Sequence, residues 1–284
     1  MGADITGKAT PTDDTVGAVV KVWTQIREKK PLIHHITNLV VMNETANITL
    51  AAGALPVMAH AREEVEEMSG IAAALVLNIG TLTPELVDTM IVAAETANTK
   101  GIPVVLDPVG AGATSLRTDS ARRIMNEVAI AIVRGNAGEL SILAGLQGEV
   151  KGVESVEAHE DLAELAGHAA TKLGCTVAVT GATDHVSDGT RSLAVENGHP
   201  WLGTVTGTGC MATTVVAAAA AVEKDHPLAA AAALSGFGVA GELAAGVSQG
   251  PGSFHVALYD ALANLDASRL GACSRVRDSG SGSG

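Results

Sequence analysis

The sequence predicts a single three-layer α/β/α domain with a mostly parallel central sheet, and three observations predict it. Of the 284 residues, 47% are hydrophobic and only 17% are charged, so the chain can bury a large core. From about residue 31 onward, short β-branched runs alternate with amphipathic helical stretches, which is the order of a βαβ fold. The short runs are continuously apolar, as expected of parallel strands that helices cover on both faces.

Five of these apolar runs are predicted strands, and helices with clear start signals separate them. A capping hydroxyl, a proline and an acid at residues 83–85 predict a helix that begins there. Shorter pieces with turn residues between 184 and 201 predict an antiparallel hairpin added to the sheet. Residues 209–264 are predicted to form three helices. The predicted strands are 32–36, 73–79, 103–106, 130–133 and 176–179.

The two ends of the chain differ in composition from the rest. Residues 1–12 are polar, lack the apolar run of a secretory signal, and are predicted to form a flexible arm. Residues 269–284 close on a Ser-Gly repeat with the composition of a linker, which predicts a disordered tail. The folded domain is therefore predicted to span residues 13–268.

Charge and composition argue against several classes of partner. The formal net charge is −13, which disfavours a nucleic-acid backbone or an anionic membrane surface. The uncharged stretch 197–222 is interrupted by Gly and Thr and has no basic flank, so we predict a buried helix there and no membrane span. The three cysteines, Cys175, Cys210 and Cys273, form no C-x-x-C pair. This pattern fits neither a disulfide framework nor a zinc site and favours the reducing cytoplasm.

The first loop that could carry chemistry begins at Asp107, directly after the predicted strand 103–106. In open α/β sheets ligands bind at the carboxyl ends of the strands, so Asp107 would face the binding crevice. A carboxylate there can hold Mg²⁺, usually through water, or a substrate hydroxyl. An Asp that caps the turn before Pro108 is the equally weighted structural alternative.

The second such loop follows the predicted strand 130–133 and begins at Arg134. An arginine at a strand end suits a polyphosphate. Asn136 and Glu139 stand one helical turn apart, so both could face one site for metal and phosphate. The plainer interpretation is a capping box, in which Asn136 caps a helix and Glu139 completes the box. Asn136 could serve both purposes.

The third loop is the glycine-rich segment 206–210, which leads into the uncharged helix. Gly207 and Gly209 would leave backbone N–H groups at the positive end of the helix dipole, an anion site for a phosphoryl group in transfer. Cys210 follows directly, and the same field is expected to lower its thiol pKa below the free value of about 8.5. The alternative for Cys210 is a small buried hydrophobe.

Other patterns in the chain carry less chemistry. The segment 207–212 fits the loose G-x-G-x-x-A dinucleotide pattern. A nicotinamide-dependent oxidoreductase is disfavoured, because two helices follow instead of a strand that ends in an acid. The sequence contains no G-x-x-x-x-G-K-[ST] motif, so it does not predict a P-loop enzyme. His34 and His35 have no third ligand at metal spacing, and we interpret them as structural.

Taken together, the three loops in this order make the chain resemble the hydroxyethylthiazole kinase family of thiamine salvage, within the ribokinase superfamily. Most of the superfamily has Asp where this chain has Cys210, and that family has Cys. The resemblance covers roughly residues 31–260. The matching segments are PLIHHITN (31–38), ALPVMA (54–59), LVLNIGT (75–81), LDPVGAGAT (106–114), IVRGN (132–136), VAVTG (177–181), VTGTGC (205–210) and GPGSF (250–254).

This resemblance implies a ribokinase-like fold and an enzyme that phosphorylates the hydroxyl of 5-(2-hydroxyethyl)-4-methylthiazole with ATP. Met58 and Gly207 would contact the thiazole substrate, and Cys210 occupies the position of the usual catalytic base. Gly209 would belong to the anion hole. A loose phosphoryl-transfer transition state needs alignment and charge neutralisation more than strong proton abstraction, so a weak base is tolerable.

The resemblance further implies the nucleotide, metal and subunit contacts. Arg134 and Thr180 would contact ATP, while Asp107 and Glu139 would organise Mg²⁺ through water. The family implies a homotrimer with active sites at subunit interfaces. Asn38 is then expected in the substrate site, and residues near it are expected to help close a neighbour's site.

Two other classes of activity remain open. A sister kinase that acts on hydroxymethylpyrimidine or pyridoxal would share the fold, although the segments 54–59 and 106–114 favour the thiazole. An ADP- or ATP-dependent NAD(P)H-hydrate dehydratase, a lyase, shares the fold and a glycine-rich anion hole. That lyase normally carries Asp after G-T-G, so Cys210 argues against it.

Overall fold

The structure is a computed structural model that describes residues 12–146 and 159–279. Its strands are β1 (Leu32–Ile36), β2 (Leu55–Val57), β3 (Ala74–Asn78), β4 (Val104–Asp107), β5 (Ile132–Asn136), β6 (Thr176–Thr180), β7 (Asp184–Ser187), β8 (Ser192–Val195) and β9 (Val276–Asp278). Its helices are α1 (Thr12–Lys29), α2 (Met42–Ala52), α3 (Val65–Ile71), α4 (Pro84–Thr99), α5 (Ser115–Glu127), α6 (Ala137–Leu143), α7 (His159–Leu173), α8 (Thr208–Ala220), α9 (His226–Val247), α10 (Pro251–Ala263) and α11 (Ala267–Cys273). A 3₁₀ helix covers Pro200–Thr204.

The described strands form one sheet in the order β2-β1-β3-β4-β5-β6-β7-β8-β9. The pairs from β2 through β6 are parallel, and those from β6 through β9 are antiparallel. The predicted mostly parallel sheet is therefore confirmed, as are the five predicted strands and the hairpin, which is β7 and β8. The short strand β2 was not predicted, because three residues with a central proline give no periodic signal at a sheet edge.

Helices cover both faces of the sheet, and each face has its own apolar cluster. Helices α1, α2, α8, α9 and α10 pack on one face, where alanine and valine dominate. Helices α3 to α7 contribute to the cluster on the other face. Small residues allow close helix packing: a Cβ at Gly236 would lie 2.7 Å from the Trp23 ring. The three-layer arrangement follows from strands that are apolar on both faces.

The three predicted carboxyl-terminal helices are confirmed as α8, α9 and α10, and α8 is buried from Met211 through Ala220. Within the described residues, α9 is long and apolar enough to cross a membrane by length and composition. However, 78% of its apolar 18-residue stretch is buried in the protein. It packs against α1, α8 and α10, so this helix is a core element of the fold.

The predicted disordered tail is wrong for the described residues 269–279. Helix α11 buries Leu270 completely, and β9 pairs antiparallel with β8 and leaves Val276 only 3% exposed. The open edge of β8 supplies hydrogen-bond partners that composition alone does not reveal. Residues 280–284 and residues 1–11 of the predicted arm 1–12 lie outside the described residues, whereas residue 12 already belongs to α1.

Candidate active site

The carboxyl ends of β3 and β4 meet side by side in the sheet. Asn78 ends β3 and Asp107 ends β4, and the two residues are register partners. Each is only 1% exposed. The amino-terminal turn of α8 lies above them and brings Cys210 and Thr213 to the same place. Asp107 lies at the carboxyl end of its strand, where the sequence places it.

Five side chains form a hydrogen-bonded group that we call the polar cluster, namely Asn38, Asn78, Asp107, Cys210 and Thr213. Asn78 Nδ2 donates to Asp107 Oδ2 at 2.9 Å and to Cys210 Sγ at 3.1 Å. Thr213 Oγ1 donates to the same Asp107 oxygen at 2.8 Å. Asn38 Nδ2 donates to Asn78 Oδ1 at 2.8 Å and lies 3.7 Å from Cys210 Sγ. The amide of Asn78 therefore links every other member except Thr213.

Burial dominates the electrostatics of the polar cluster. Burial raises the pKa of Asp107 to about 6; the charge of Arg134 opposes this shift, whereas that of Glu139 adds to it. Burial and the nearby charge of Asp107 raise the pKa of the Cys210 thiol to about 12. The predicted lowering of the Cys210 pKa is wrong, because desolvation and a neighbouring carboxylate outweigh the field of one helix end. Cys210 is therefore a protonated thiol at neutral pH.

The two glycines of the third loop let α8 begin against other parts of the site. Gly207 caps α8 with a left-handed φ of 89°, and a Cβ there would lie 2.7 Å from Val41 Cγ1. A Cβ at Gly209 would lie 2.8 Å from Arg134 Nη1. The first N–H groups of a helix have no partner inside it. The start of α8 thus presents backbone donors beside an arginine, as an anion site requires.

Arg134 and Thr180 lie together at the ends of β5 and β6. Arg134 Nη2 donates to Thr180 Oγ1 at 2.7 Å, and the buried Arg134 Nε has no hydrogen-bond partner. Both residues line a cavity of about 540 Å³, large enough for a small-molecule ligand. Gly209 also borders this cavity, as do all residues of the segment 197–203 except Trp201, and we call this segment the cavity wall. The cavity and the polar cluster therefore meet at the start of α8.

Glu139 connects two of the predicted loops. Its Oε2 accepts from Asn136 N at 2.9 Å, and Asn136 Oδ1 accepts from Glu139 N at 2.9 Å, so the predicted capping box is confirmed. Glu139 Oε1 accepts from Gly110 N at 2.8 Å. The loop after Asp107 is thereby tied to the end of β5.

Whether Mg²⁺ fits here depends on the donor set. Among the described residues, no group of three or more His, Cys, Asp or Glu side chains could hold a metal ion. Asp107 and Glu139 are close enough for the charge of Glu139 to raise the pKa of Asp107. Mg²⁺ is commonly held by one or two carboxylates together with waters and phosphate oxygens. The residues fit a Mg²⁺ ion that arrives with a nucleotide, and they do not form an all-protein cage.

The predicted substrate residues are only partly brought together. The Asn38 side chain is 4% exposed and lies inside its own chain, whereas the adjacent Leu39 and Val40 are 74% and 60% exposed. Met58 follows β2 and is half-buried. Strand β1 separates β2 from β3, which carries Asn78. Gly207 is the substrate candidate that adjoins Cys210 through α8.

The two histidines of β1 are structural, as predicted. His34 Nδ1 pairs with Ser69 Oγ at 3.0 Å, and His34 Nε2 pairs with the Ala59 carbonyl at 2.7 Å. Burial lowers the pKa of His34, and burial lowers the pKa of His35 to about 3. His34 therefore anchors the residue that follows Met58, and both imidazoles remain neutral at neutral pH.

The sequence did not single out Asn78 or Thr213. Asn78 lies in the matching segment 75–81, and its position at the end of an apolar run parallels that of Asp107. This shared position at the end of an apolar run could have identified Asn78 as a site residue. Thr213 stands one helical turn after Gly209, but a threonine inside an apolar helix has many structural explanations.

Solved structures with the same architecture identify the class of protein. The structure superimposes on a ribokinase-like superfamily protein from Enterococcus faecalis with a TM-score of 0.60 at 13% identity, covering 90% of each chain, which shows the fold. It superimposes with a TM-score of 0.85 at 46% identity on the hydroxyethylthiazole kinase protein of Pyrococcus horikoshii OT3, covering 92% of this chain and 98% of that one. The fold is that of a ribokinase-like small-molecule kinase.

Two sequence matches then define the family. Residues 23–268 match the model of the hydroxyethylthiazole kinase family. The hydroxyethylthiazole kinase of Desulfatibacillum aliphaticivorans is 58% identical over 258 residues, which are 91% of this chain and 96% of that protein. The chain belongs to the hydroxyethylthiazole kinase family, and it is a phosphotransferase.

Proposed function

We propose that this protein transfers the γ-phosphoryl group of ATP to the hydroxyl of 5-(2-hydroxyethyl)-4-methylthiazole, with ADP and the thiazole phosphate ester as products. The ester would then serve the synthesis of thiamine phosphate. One observation carries the proposal: the start of α8 lies between the cavity of Arg134 and the polar cluster. A phosphoryl group held there would have nucleotide on one side and the acceptor hydroxyl on the other.

The nucleotide side of the site consists of Arg134 and Thr180. The Arg134 guanidinium donates a hydrogen bond to Thr180 and lies next to Gly209. Its positive charge is therefore close to the first N–H groups of α8. Preorganised donors of this kind stabilise the charge that builds on the transferred phosphoryl oxygens. The Gly209 backbone and Arg134 are therefore assigned to transition-state stabilisation.

Asp107 and Glu139 are assigned to Mg²⁺, which neutralises charge on the nucleotide phosphates when it is bound. Two hydrogen bonds, from Asn78 and Thr213, hold one carboxylate oxygen of Asp107. Glu139 is held by backbone N–H groups of the loop 107–114 and of β5. These contacts fix both carboxylates before the nucleotide arrives, so little reorganisation is needed.

Cys210 is assigned to the acceptor hydroxyl. Its thiol is protonated at neutral pH, because burial and Asp107 raise its pKa to about 12. A protonated thiol is a poor nucleophile, so Cys210 orients the hydroxyl and is not phosphorylated itself. The loose transition state requires little proton abstraction before the phosphoryl group is transferred. Gly207, Met58 and Asn38 are assigned to the thiazole side.

A homotrimer in the cytoplasm is the proposed setting, with Leu39 and Val40 near a neighbouring subunit's site. Support comes from the segment 39–55, in which Leu39, Val40, Leu50 and Leu55 are 46–74% exposed. Apolar side chains grouped on a surface mark an interface with another chain. Sedimentation of the purified protein measures the assembly, and a monomer at all concentrations would contradict this part of the proposal.

The first experiment measures ADP formation by purified protein with ATP and Mg²⁺, with and without the thiazole alcohol, and follows the ester by mass spectrometry. ADP that depends on the alcohol, together with a monophosphate ester, supports the proposed reaction. Turnover with hydroxymethylpyrimidine or pyridoxal alone would keep the kinase class and change the substrate. No transfer to any alcohol, with turnover of NAD(P)H hydrate instead, would favour the lyase.

A further inference from the structure

The carboxyl-terminal segment of the chain is built into the nucleotide side of the site. After α11 the chain passes through Ser274 and Arg275 into β9, which pairs with β8. The Arg275 carbonyl accepts from Glu196 N at 2.9 Å, and Arg275 Nη2 donates to the Glu196 carbonyl at 2.9 Å. These bonds place the segment directly behind the first residues of the cavity wall (197–203).

Asn197 is the first residue of the cavity wall, and its side chain is almost completely buried. Its Oδ1 accepts from Arg275 N at 2.7 Å and from Ser235 Oγ at 3.0 Å. Its Nδ2 donates to the Cys273 carbonyl at 2.9 Å and to Glu242 Oε1 at 3.3 Å. Two of these partners, Cys273 and Arg275, belong to the end of α11 and the residues after it, and the other two belong to α9. They determine where the amide lies.

Glu242 of α9 connects the same wall to Arg275. Glu242 Oε1 accepts from Gly198 N at 2.8 Å and from Arg275 Nη2 at 2.5 Å, while Oε2 accepts from Arg275 Nη1 at 3.2 Å. Burial alone would raise the pKa of Glu242, but the hydrogen bonds from Arg275, Gly198 and Asn197 lower it. The carboxylate is therefore charged in the range where the enzyme would work.

The wall is packed closely against α9. Gly198 has a φ of 147°, and a Cβ at Gly238 of α9 would lie 2.6 Å from the Asn197 backbone. Asn197, Gly198 and Gly238 all line the cavity that also contains Arg134 and Thr180. Ligand-binding groups are most effective when surrounding residues hold them in place.

We propose that Glu242 and Arg275 are positioning residues that hold the cavity wall in its nucleotide-binding arrangement, so that the carboxyl-terminal segment controls the affinity for ATP. This inference rests on the proposed function, because it assigns the cavity to the nucleotide. Neither residue contacts the polar cluster, so their effect falls on nucleotide binding and not on the acceptor hydroxyl.

The test compares Arg275→Met with Arg277→Met in steady-state assays that vary ATP at saturating thiazole alcohol and then the reverse. Arg277 is the matched control, since it pairs with the Glu196 side chain at 2.9 Å and both side chains are about half exposed (52% and 41%). An exposed charged pair contributes up to about fivefold in an equilibrium constant, so Arg275→Met is expected to raise KM for ATP by about that factor. The kcat and the KM for the thiazole alcohol should stay within about twofold.

Two further variants separate positioning from general destabilisation. Arg275→Lys keeps the charge but loses the two-oxygen contact, so its KM for ATP should lie between those of wild type and Arg275→Met. If Arg275→Met does not fold, Glu242→Gln takes its place in the same assay, because it removes the ion pair and keeps the side-chain shape. Calorimetric binding of ADP to each folded variant provides a measurement that does not depend on turnover.

The outcomes distinguish the inference from the proposed function. If wild type neither binds ADP nor forms the ester, the proposed function fails and the inference fails with it. If wild type does both, but Arg275→Met or its replacement shows the same KM for ATP and the same ADP affinity as Arg277→Met, only the inference is wrong. A fall in kcat with every KM unchanged would also overturn it.

Discussion

The polar cluster and the cavity wall are held by opposite means. In the polar cluster, side chains hold side chains, and Asn38, Asn78 and Asp107 are at most 4% exposed. In the wall, Gly198 N donates to Glu242, which pairs with Arg275, and the side chains of this ion pair are 25% and 47% exposed. A buried polar group that loses its partner costs far more free energy than an exposed ion pair. Changes in the cluster should therefore affect kcat strongly, whereas changes behind the wall should affect nucleotide affinity mildly.

The start of α8 joins the two regions, so the largest expected effect is there. Gly209→Val would place side-chain atoms against the Arg134 guanidinium, where a Cβ already lies 2.8 Å from Nη1. We expect a loss of kcat of about 100-fold or more, by analogy with the removal of an oxyanion-type donor. Gly246→Val is the control, because a Cβ at Gly246 of α9 meets nothing within 4 Å. Near-normal turnover of Gly209→Val would contradict the anion-hole assignment.

The next effect tests whether Asn78 organises the polar cluster. Asn78→Ala removes the donor to Asp107 and Cys210 and the acceptor of Asn38. Unpaired buried polar groups cost about 1–3 kcal/mol, so the free energy of unfolding should fall by that amount and kcat by roughly tenfold or more. The KM for ATP should be nearly unchanged. The substitution Asn264→Ala, at an exposed position, serves as the control. Denaturant titration measures the free energy of unfolding, and steady-state kinetics measures kcat and KM. A rise in KM for ATP as large as the fall in kcat would mean that the two regions are not separate.

The buried charge of Asp107 predicts a gain in stability on substitution. Since its folded-state pKa is raised from 3.8 to about 6, the folded protein holds a proton that the unfolded chain releases between these values. The ionised Asp107 carboxylate lowers the free energy of unfolding, and this loss is absent below pH 3.8, grows as pH rises, and is complete above about 6. Asp107→Asn should therefore raise the free energy of unfolding at pH 8 by roughly 1–3 kcal/mol. Thermal unfolding at pH 4 and pH 8 measures it, with the exposed Asp119→Asn as control; a variant that is less stable at pH 8 would refute the stated sign.

The smallest expected effect concerns the identity of the cluster's thiol. Cys210→Asp should keep activity within about tenfold, because alignment matters more than base strength in phosphoryl transfer. In the native protein, alkylation of Cys210 should remain slow at neutral pH and accelerate through the alkaline range, as a thiol with a pKa of about 12 requires. Peptide mapping by mass spectrometry follows Cys210 separately from Cys273. Loss of all turnover in Cys210→Asp, together with a phosphocysteine trapped in the native protein, would reject its role.

Local signals in the sequence determined much of the fold. The continuous apolar runs predicted strands β1, β3, β4, β5 and β6 because burial on both faces leaves no room for alternating polar residues. The spacing of Asn136 and Glu139 predicted the capping box, which depends only on neighbouring residues. The motifs around Asp107, Arg134 and Cys210 lie where strand and helix ends were expected to meet.

Only the tertiary structure decided the features that depend on distant partners. Asn78 is the centre of the polar cluster because β3 lies beside β4 and beneath α8. Its partners Asp107 and Cys210 are 29 and 132 positions away in the sequence. The high pKa of Cys210 follows from burial next to Asp107, whereas the sequence shows only the helix end. Residues with the composition of a linker form α11 and β9 because β9 pairs with the otherwise open edge of β8. In addition, Arg275 forms an ion pair with Glu242 of α9. Composition and periodicity report local preference, while desolvation and long-range pairing exist only after the chain has folded.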